Sequence, residues 1–514
     1  MRLLTNLLLC VCIVLCSCTT QTETNAIHTN EYGTNWKWEK GTIVVETPDR
    51  PAKQKSVLGL ALPKMEVVRV GFVGLGMRGP GAVVRFTHIP GTQIVALCDY
   101  EQKRAEACQQ YLKQASLPKA DVYYGETGYE ELCKREDVDL VYIATDWSHH
   151  FLVAKCALEH GKNVAIEVPS AMNLKECWEL INLSEEKQKH CMILENCCYD
   201  WFEMNTLNMA QQGVFGEIIR AQGAYIHNLE WFWDWYWKNG ENDKLGWRLD
   251  YNMRHRGDVY ATHGLGPVAQ ALNIHRGDRM KTLVAMDTKS VIGKALVEER
   301  IDSACNNFRN GDHTTTLIRT EKGKVIEIQH NVMTPQPYNR LYQLTGTKGF
   351  ANKYPVEGYA LDGKQLSTSG IQPQVDNISA HGFLPQAEMD ALIAKYKHPI
   401  LIKYGENAKE VGGHGGMDFI MDSRLVYCLQ NGLPLDMDVY DLAEWCCLAE
   451  LGSLSMDNGC VPVAIPDFTR GGWNKIKGYR HAYVSSEEEK VTAEKAAAFT
   501  AKLKEQGAKQ WKIE

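Results

Sequence analysis

Three glycines and one carboxylate give the chain its first chemical signal. Gly74, Gly76 and Gly79 stand in Gly74-Leu75-Gly76-Met77-Arg78-Gly79, directly after the β-branched run Val67 to Val73, and Asp99 lies 20 residues past the last of them. In this arrangement the first glycine makes a tight turn, the second lets a pyrophosphate approach the backbone, and the third lets a helix pack on the strand. The phosphate charge then meets the positive end of the helix. Asp99 ends a second strand, Gln93 to Cys98, where its carboxylate accepts both ribose hydroxyls. That charge favours NAD over NADP, whose extra phosphate it would repel, although Arg78 is a cation able to neutralise one.

The elements that must hold these residues alternate strand and helix. Pro80 suits a first helical turn, and Glu101 to Gln114 is a helix with Ala105, Cys108 and Leu112 on one face. Val138 to Ala144 is a continuous apolar strand of the buried parallel kind, followed by a helix to His160 and the strand Asn163 to Glu167. A helix with Leu174, Trp178 and Ile181 on one face leads to the strand Cys191 to Glu195. The fold class is therefore α/β, with a doubly wound parallel Rossmann sheet over residues 67–196. Ligands of such sheets sit beyond the carboxyl ends of the strands, which here carry the glycine loop, Asp99, Trp147-Ser148-His149-His150, Glu167-Val168-Pro169 and Asn196 to Tyr199.

Residues 197–480 have another character. Glu217 to Ile226, Thr314 to Arg319, Lys324 to His330 and Leu341 to Thr345 alternate apolar and polar residues, with Glu321-Lys322-Gly323 as a hairpin turn. They predict an α+β domain with a large, mainly antiparallel open sheet, covered on one face by the first domain or by a second subunit of a homo-oligomer. The aromatic stretch Tyr225 to Tyr260 holds Trp231, Trp233, Trp235, Trp237 and Trp247. Such rings stack on sugars, and they also build cores. Residues 481–514 close the chain as an amphipathic helix, with Ser485 and Glu488 as a capping box and Ala496, Phe499 and Leu503 on one face.

A length of 514 residues implies two or three domains, and a net charge of −7 without a basic cluster argues against nucleic acid. The first 18 residues read as a signal peptide: Arg2 precedes the apolar run Leu7 to Leu15, too short to span a bilayer. It ends in Leu15-Cys16-Ser17-Cys18, which resembles a bacterial lipobox, so Cys18 is expected to be lipidated. The protein would then be an exported lipoprotein held on the periplasmic or cell-surface face of a membrane, with residues 19–66 as tether and arm. Part of that arm, around Trp36, Trp38 and Thr42-Ile43-Val44-Val45, is expected to pack on the body. Past Cys18, 13 of the 17 cysteines remain, several inside apparent core elements, so they read as buried thiols despite the exported setting. No spacing of Cys or His suits a metal, and none is expected.

The loop, Asp99, the segment ending in His150, and Gly161-Lys162-Asn163-Val164-Ala165-Ile166-Glu167-Val168-Pro169 together resemble the glucose-fructose oxidoreductase and inositol dehydrogenase superfamily. Dehydrogenases of that group carry Glu-Lys-Pro and an Asp four residues before a histidine. Here Val168 stands in the lysine place, and four before His263 is Val259, with Asp258 adjacent. Those departures, with Glu195-Asn196-Cys197-Cys198-Tyr199, Tyr260-Ala261-Thr262-His263-Gly264-Leu265-Gly266-Pro267, Pro337-Tyr338-Asn339-Arg340, His414-Gly415-Gly416-Met417-Asp418 and Ile465-Pro466-Asp467-Phe468-Thr469, resemble glycoside hydrolase family 109.

The resemblance implies an NAD-dependent glycosidase of the α-N-acetylgalactosaminidase kind with tightly bound, recycled cofactor. NAD⁺ would take hydride from carbon 3 of a terminal sugar, the ketone would acidify carbon 2, elimination would expel the aglycone, and water and NADH would restore the sugar. Such a site needs a base that titrates near neutrality and a phenol that relays a proton, roles that suit His263 and Tyr260, three apart in one segment. By the same resemblance Gly74, Gly76, Met77, Arg78, Gly79, Asp99, Trp147, Ser148, His149, His150, Glu167, Val168 and Asn196 would touch NAD. Tyr225, Arg248, Tyr260, Ala261, Thr262, His263 and Tyr338 would touch a glycan or glycoside. No carboxylate pair stands out for direct displacement, which this route would not use. A net sugar dehydrogenase and a non-catalytic lipid-anchored sugar-binding protein are the alternatives.

Overall fold

The computed structural model describes residues 26–229, 246–300 and 307–512. The expected signal peptide with Cys18, and Trp231, Trp233, Trp235 and Trp237, lie outside the described residues. Strands β1 (His28–Thr29), β2 (Asn35–Glu39) and β3 (Thr42–Val45) come first. Then β4 (Val68–Val73), β5 (Thr92–Asp99), β6 (Asp121–Tyr124), β7 (Leu140–Ile143), β8 (Asn163–Ile166) and β9 (Cys191–Ile193) alternate with helices. They form one six-stranded sheet, order β6-β5-β4-β7-β8-β9, with every pairing parallel.

Burial on both faces explains the unbroken apolar strands, since helices cover each side of a parallel sheet. Phe72 of β4 packs edge-on against Phe86 of the Gly79–Thr87 helix, ring centres 5.2 Å apart, and at the same distance from Tyr142 of β7. Burying each such ring contributes about 1.5–3 kcal/mol. Strand order reverses between β4 and β7, which opens a crevice at their carboxyl ends, above the glycine loop. Edge strand β6, partly exposed, shows no apolar alternation, and the sequence pattern does not announce it.

The second sheet runs through β10 (Ile218–Ile226), β11 (Met280–Asp287), β12 (Thr314–Thr320), β13 (Val325–Asn331), β14 (Tyr342–Gly346), β15 (Phe350–Asn352), β16 (Gly358–Ala360) and β17 (Val463–Ala464). Among the described residues it has 11 strands, order β1-β2-β3-β17-β11-β12-β13-β10-β14-β15-β16. Only β10 with β13 and β17 with β3 pair in parallel. The β2–β3 hairpin of the arm thus extends this sheet, and Gly323, at φ +84°, turns β12 into β13.

Between the sheets lies the helix Thr262–Ala271. It sits so close to β10 that a Cβ on Gly223 would fall 2.1 Å from Gly264 O, and one on Gly266 would fall 2.9 Å from Glu195 Cγ. Glycine here lets one helix touch the end of the Rossmann sheet on one side and the large sheet on the other. The last helix, Ser486–Lys512, begins at the expected box: Glu488 N–H donates to Ser485 Oγ at 3.2 Å, and Ser485 N–H returns a bond to the Glu488 carboxylate at 3.3 Å. Among the described residues twelve cysteines are free thiols, all but Cys156 and Cys460 buried. Among the described residues no helix is long and apolar enough to cross a membrane.

Candidate active site

A cleft of about 790 Å³ opens at the carboxyl ends of β4, β5, β7 and β8. Its shape is set by glycines with distinct duties. A Cβ on Gly74, at φ +91°, would meet the Ala144 backbone at 2.5 Å, and one on Gly79 would lie 2.0 Å from Gly74 O. A Cβ on Gly76 would meet nothing nearer than Arg104 Nη1 at 3.6 Å. The fold itself therefore forbids a side chain at 74 and 79, whereas at 76 the room is in the cleft, where a pyrophosphate needs it. Asp99 Oδ2 accepts Leu75 N–H at 2.6 Å and Oδ1 accepts Glu101 N–H at 2.9 Å, which fixes the carboxylate at the cleft edge. These residues fit a dinucleotide.

Arg78 lines the same cleft with its guanidinium tied into a network of its own. Its guanidinium is held by Glu167 and Asp418, each at 3.2 Å, and by His414 Nδ1 at 3.0 Å. Although burial opposes its charge, Asp418 is held well below the usual carboxylate range, chiefly by Arg78. Arg78 is thus committed to this network, and the cation beside Asp99 is Arg104, Nη1 3.8 Å from Oδ1. At the far wall, Asp146 caps the Trp147–Glu159 helix by accepting Ser148 N–H at 2.9 Å, worth about 1 kcal/mol. His150 nitrogens lie 2.7 Å from Pro169 O and 3.0 Å from Thr145 O, which ties the ends of β7 and β8 together.

The inner end of the cleft is Tyr260. Its ring centre stands 4.8 Å from His263, 4.9 Å from Tyr225 and 5.8 Å from Trp147. Burial pushes the Tyr260 phenol well above its usual pKa, so it remains a proton donor. His263 Nδ1 lies 2.7 Å from Glu195 Oε1, which also accepts Cys197 N–H at 3.1 Å. Burial works against the Glu195 charge, yet the His263 imidazole beside it keeps its pKa below the usual value. A carboxylate on Nδ1 fixes ring and tautomer, and it leaves Nε2 as the nitrogen that can take a proton.

Glu195, Cys197 and His263 place ligand atoms within 4.8 Å of one another, as a metal site would. The donor chemistry favours a hydrogen-bonded pair instead. The Cys197 sulfur accepts from the Arg340 guanidinium, Nη1 3.0 Å away, and that cation would repel a metal ion there. Further out, the Arg248 guanidinium carbon sits 4.8 Å from the Trp147 ring centre and 5.3 Å from that of Tyr260. Tyr338, 47% exposed, packs on His227 at 5.1 Å, and His227 on Tyr225 at 4.8 Å.

Of the expected cofactor residues, Gly74, Gly76, Met77, Arg78, Asp99, Trp147, His149, His150, Glu167 and Val168 line the cleft. Gly79 lies beneath the loop, Ser148 bonds the Asp146 carboxylate at the surface, and Asn196 Nδ2 is turned to Asp418 Oδ1 at 2.6 Å. Of the expected sugar residues, Tyr225, Arg248, Tyr260 and His263 converge, Tyr338 stands one ring beyond, and Ala261 and Thr262 are buried under the helix start. Sequence reasoning did not single out Glu195, Arg104 or Asp418. Glu195 ends a strand of the Rossmann sheet, a position that could have marked it, but only folding sets it against a histidine 68 residues on.

Comparison with known proteins gives this geometry its relatives. Residues 68–195 match the model of the oxidoreductase family, NAD-binding Rossmann fold, and residues 199–475 match that of the glycosyl hydrolase 109 C-terminal domain. Glycosyl hydrolase family 109 protein 4 of Phocaeicola vulgatus is 78% identical over 503 residues, covering 98% of this chain and 97% of the relative. Glycosyl hydrolase family 109 protein 1 of Bacteroides thetaiotaomicron is 62% identical over 442 residues, 86% and 93% of the two chains. Among solved structures, levoglucosan dehydrogenase in complex with NADH and levoglucosan shares the fold: TM-score 0.55, 16% identity, 78% of this chain and 99% of that one. By both domain and whole-chain likeness the chain belongs to glycoside hydrolase family 109.

Proposed function

We propose that the protein is an NAD-dependent glycosidase of the α-N-acetylgalactosaminidase kind, which cleaves a terminal sugar without net oxidation. The observation that carries this reading is the Glu195–His263 pair, set beside the protonated Tyr260 phenol at the inner end of the dinucleotide cleft. Bound NAD supplies reversible oxidation of an alcohol to a ketone, the one piece of chemistry that no side chain here can perform. His263 Nε2, oriented through Nδ1 by Glu195, takes the proton of the sugar hydroxyl and then the acidified proton on carbon 2. Tyr260 donates toward the sugar oxygens, and Tyr225 and Arg248 flank the ring. Loss of the carbon 2 proton expels the aglycone from carbon 1; addition of water and return of the proton then give the ketone form of the free sugar, and the hydride held on the cofactor would restore its carbon 3 alcohol, leaving no net oxidation. Three acids on the cleft wall are otherwise engaged: Asp99 accepts two backbone N–H groups, Glu167 holds Arg78, and Asp146 caps its helix.

Export as a lipoprotein through Cys18 belongs to the same proposal, and it rests on the Leu15-Cys16-Ser17-Cys18 sequence. Outside the cytoplasm a recycled, retained cofactor suits a glycosidase, whereas a net dehydrogenase would need constant supply. The test is an exhaustively dialysed preparation assayed in heavy water on aryl α-N-acetylgalactosaminide with no NAD added. Full turnover without lasting NADH absorbance, and product carrying deuterium at carbon 2, is expected. Stoichiometric NADH would establish the dehydrogenase instead, and turnover only with added NAD would sink tight retention.

A further inference from the structure

The helix Trp247–Arg254 brings Arg248 to the ring cluster at the inner end of the cleft, and Trp247 packs on Trp147 with ring centres 4.9 Å apart. At its other end, about 10 Å away at 1.5 Å per residue, it meets the N-terminal arm. Residues 30–34 of that arm form a tight turn. Asn30 Oδ1 accepts Tyr32 N–H at 3.0 Å and Thr34 N–H at 2.9 Å, and Gly33 takes φ +80°. Asn30 Nδ2 pins the turn to the body by donating to Glu450 Oε1 at 2.6 Å, whose other oxygen accepts Leu174 N–H at 2.6 Å. The two residues at the tip of the turn are thereby held at a fixed place.

Both reach the carboxyl end of the Trp247–Arg254 helix. The Tyr32 hydroxyl lies 3.0 Å from Nδ1 of His255, the residue that caps the helix. Glu31 is bonded to the Arg309 guanidinium, which donates to Arg254 O at 2.9 Å, so an anchored cation satisfies a terminal helix carbonyl. From His255 a row of rings leads back to the cleft. His255 packs at a tilt on Tyr251 with ring centres 4.2 Å apart, Tyr251 meets Trp147 edge-on at 5.5 Å, and Trp147 touches both Tyr260 and the Arg248 guanidinium.

We infer that Glu31 and Tyr32 of the arm are positioning residues for the substrate pocket: they clamp the carboxyl end of the Trp247–Arg254 helix and so fix where Trp247 and Arg248 stand. The clamp touches neither the glycine loop nor Asp99, the residues that fit the pyrophosphate and the ribose. A clamp that only positions a pocket wall acts on substrate affinity more than on the chemical step. The kinetic part of the test rests on the proposed glycosidase activity, and the structural part does not.

The experiment compares the full-length, NAD-bound protein with the Glu31→Ala/Tyr32→Ala double variant and with Tyr32→Phe, by amide hydrogen exchange and by steady-state kinetics on an aryl glycoside. The double variant is expected to exchange faster over residues 247–255, with β4–β9 and bound NAD unchanged. Its KM is expected to rise ~10-fold with kcat kept within about twofold, and Tyr32→Phe, which keeps the ring and loses the hydroxyl, is expected to fall between. Unchanged exchange over 247–255, an unchanged KM in a variant that does exchange faster there, or faster exchange throughout both sheets, as from a general staple, would each overturn the clamp. If the wild type cleaves no glycoside, the proposed function fails on its own and the exchange pattern still decides the clamp.

Discussion

On the cofactor side of the cleft, the glycine loop and Asp99 come from residues 74–99, and backbone groups do most of the holding: Leu75 and Glu101 N–H groups fix Asp99, and glycine clearances fix the loop. On the side proposed to carry the chemistry, His263, Glu195, Tyr225 and Tyr260 come from β9's end, β10 and the start of the Thr262–Ala271 helix, and side chains orient one another. The acids differ in the same way. Asp418, behind the cofactor loop, is buried against Arg78 and held well below the usual range. Asp258, two residues before Tyr260, is buried with Oδ2 lacking any partner and is pushed up to about 7. A site that only binds can satisfy every charge locally, whereas one that moves protons keeps titratable groups in apolar company.

The contrast breaks first at His263. His263→Ala is expected to lower turnover by about 10²–10⁴-fold while bound NAD is unchanged. If turnover and NAD retention fall together, the two sides are one unit and the comparison fails. Quantifying released nicotinamide nucleotide beside single-turnover rates reads both.

Next comes Asp258. A carboxyl whose folded pKa is raised costs stability once pH exceeds its unfolded value near 3.9, and the cost is complete above about 7. Asp258→Asn keeps an acceptor for Tyr260 N–H and is therefore expected to melt higher than wild type at pH 8, by at most about 4 kcal/mol, and equal to it near pH 4. A gain that does not grow with pH would show that Asp258 finds a partner. The smallest expected effect is at Asp99. Asp99→Ala is expected to weaken NAD binding ~10–100-fold, in keeping with loss of charge-assisted bonds, with residual turnover restored by excess NAD. NAD retained through dialysis would show that the backbone alone holds the cofactor.

Much of the first sheet was legible because its signals are local. The run Val67 to Val73 becomes Val68–Val73, Gln93 to Cys98 becomes Thr92–Asp99, and the helix at Glu101 becomes Gln102–Gln114, since burial on both faces writes an unbroken apolar strand and burial on one face a helical stripe. The alternating strands of the second domain were legible for the same reason, and β6, half-exposed and short, was not.

The sequence alone determined the family, the glycine loop, the acid at its proper distance, and the pairing of Tyr260 with His263 in one segment, because each depends on residues near one another in the chain. Only the tertiary structure decided that Glu195 orients His263, that Arg78 serves Glu167 and Asp418 while Arg104 stands by Asp99, and that an N-terminal turn reaches the helix bearing Arg248. Those contacts join segments tens to hundreds of residues apart, and their partners are fixed by how two sheets close on one glycine-rich helix, which leaves no periodicity in the sequence to read.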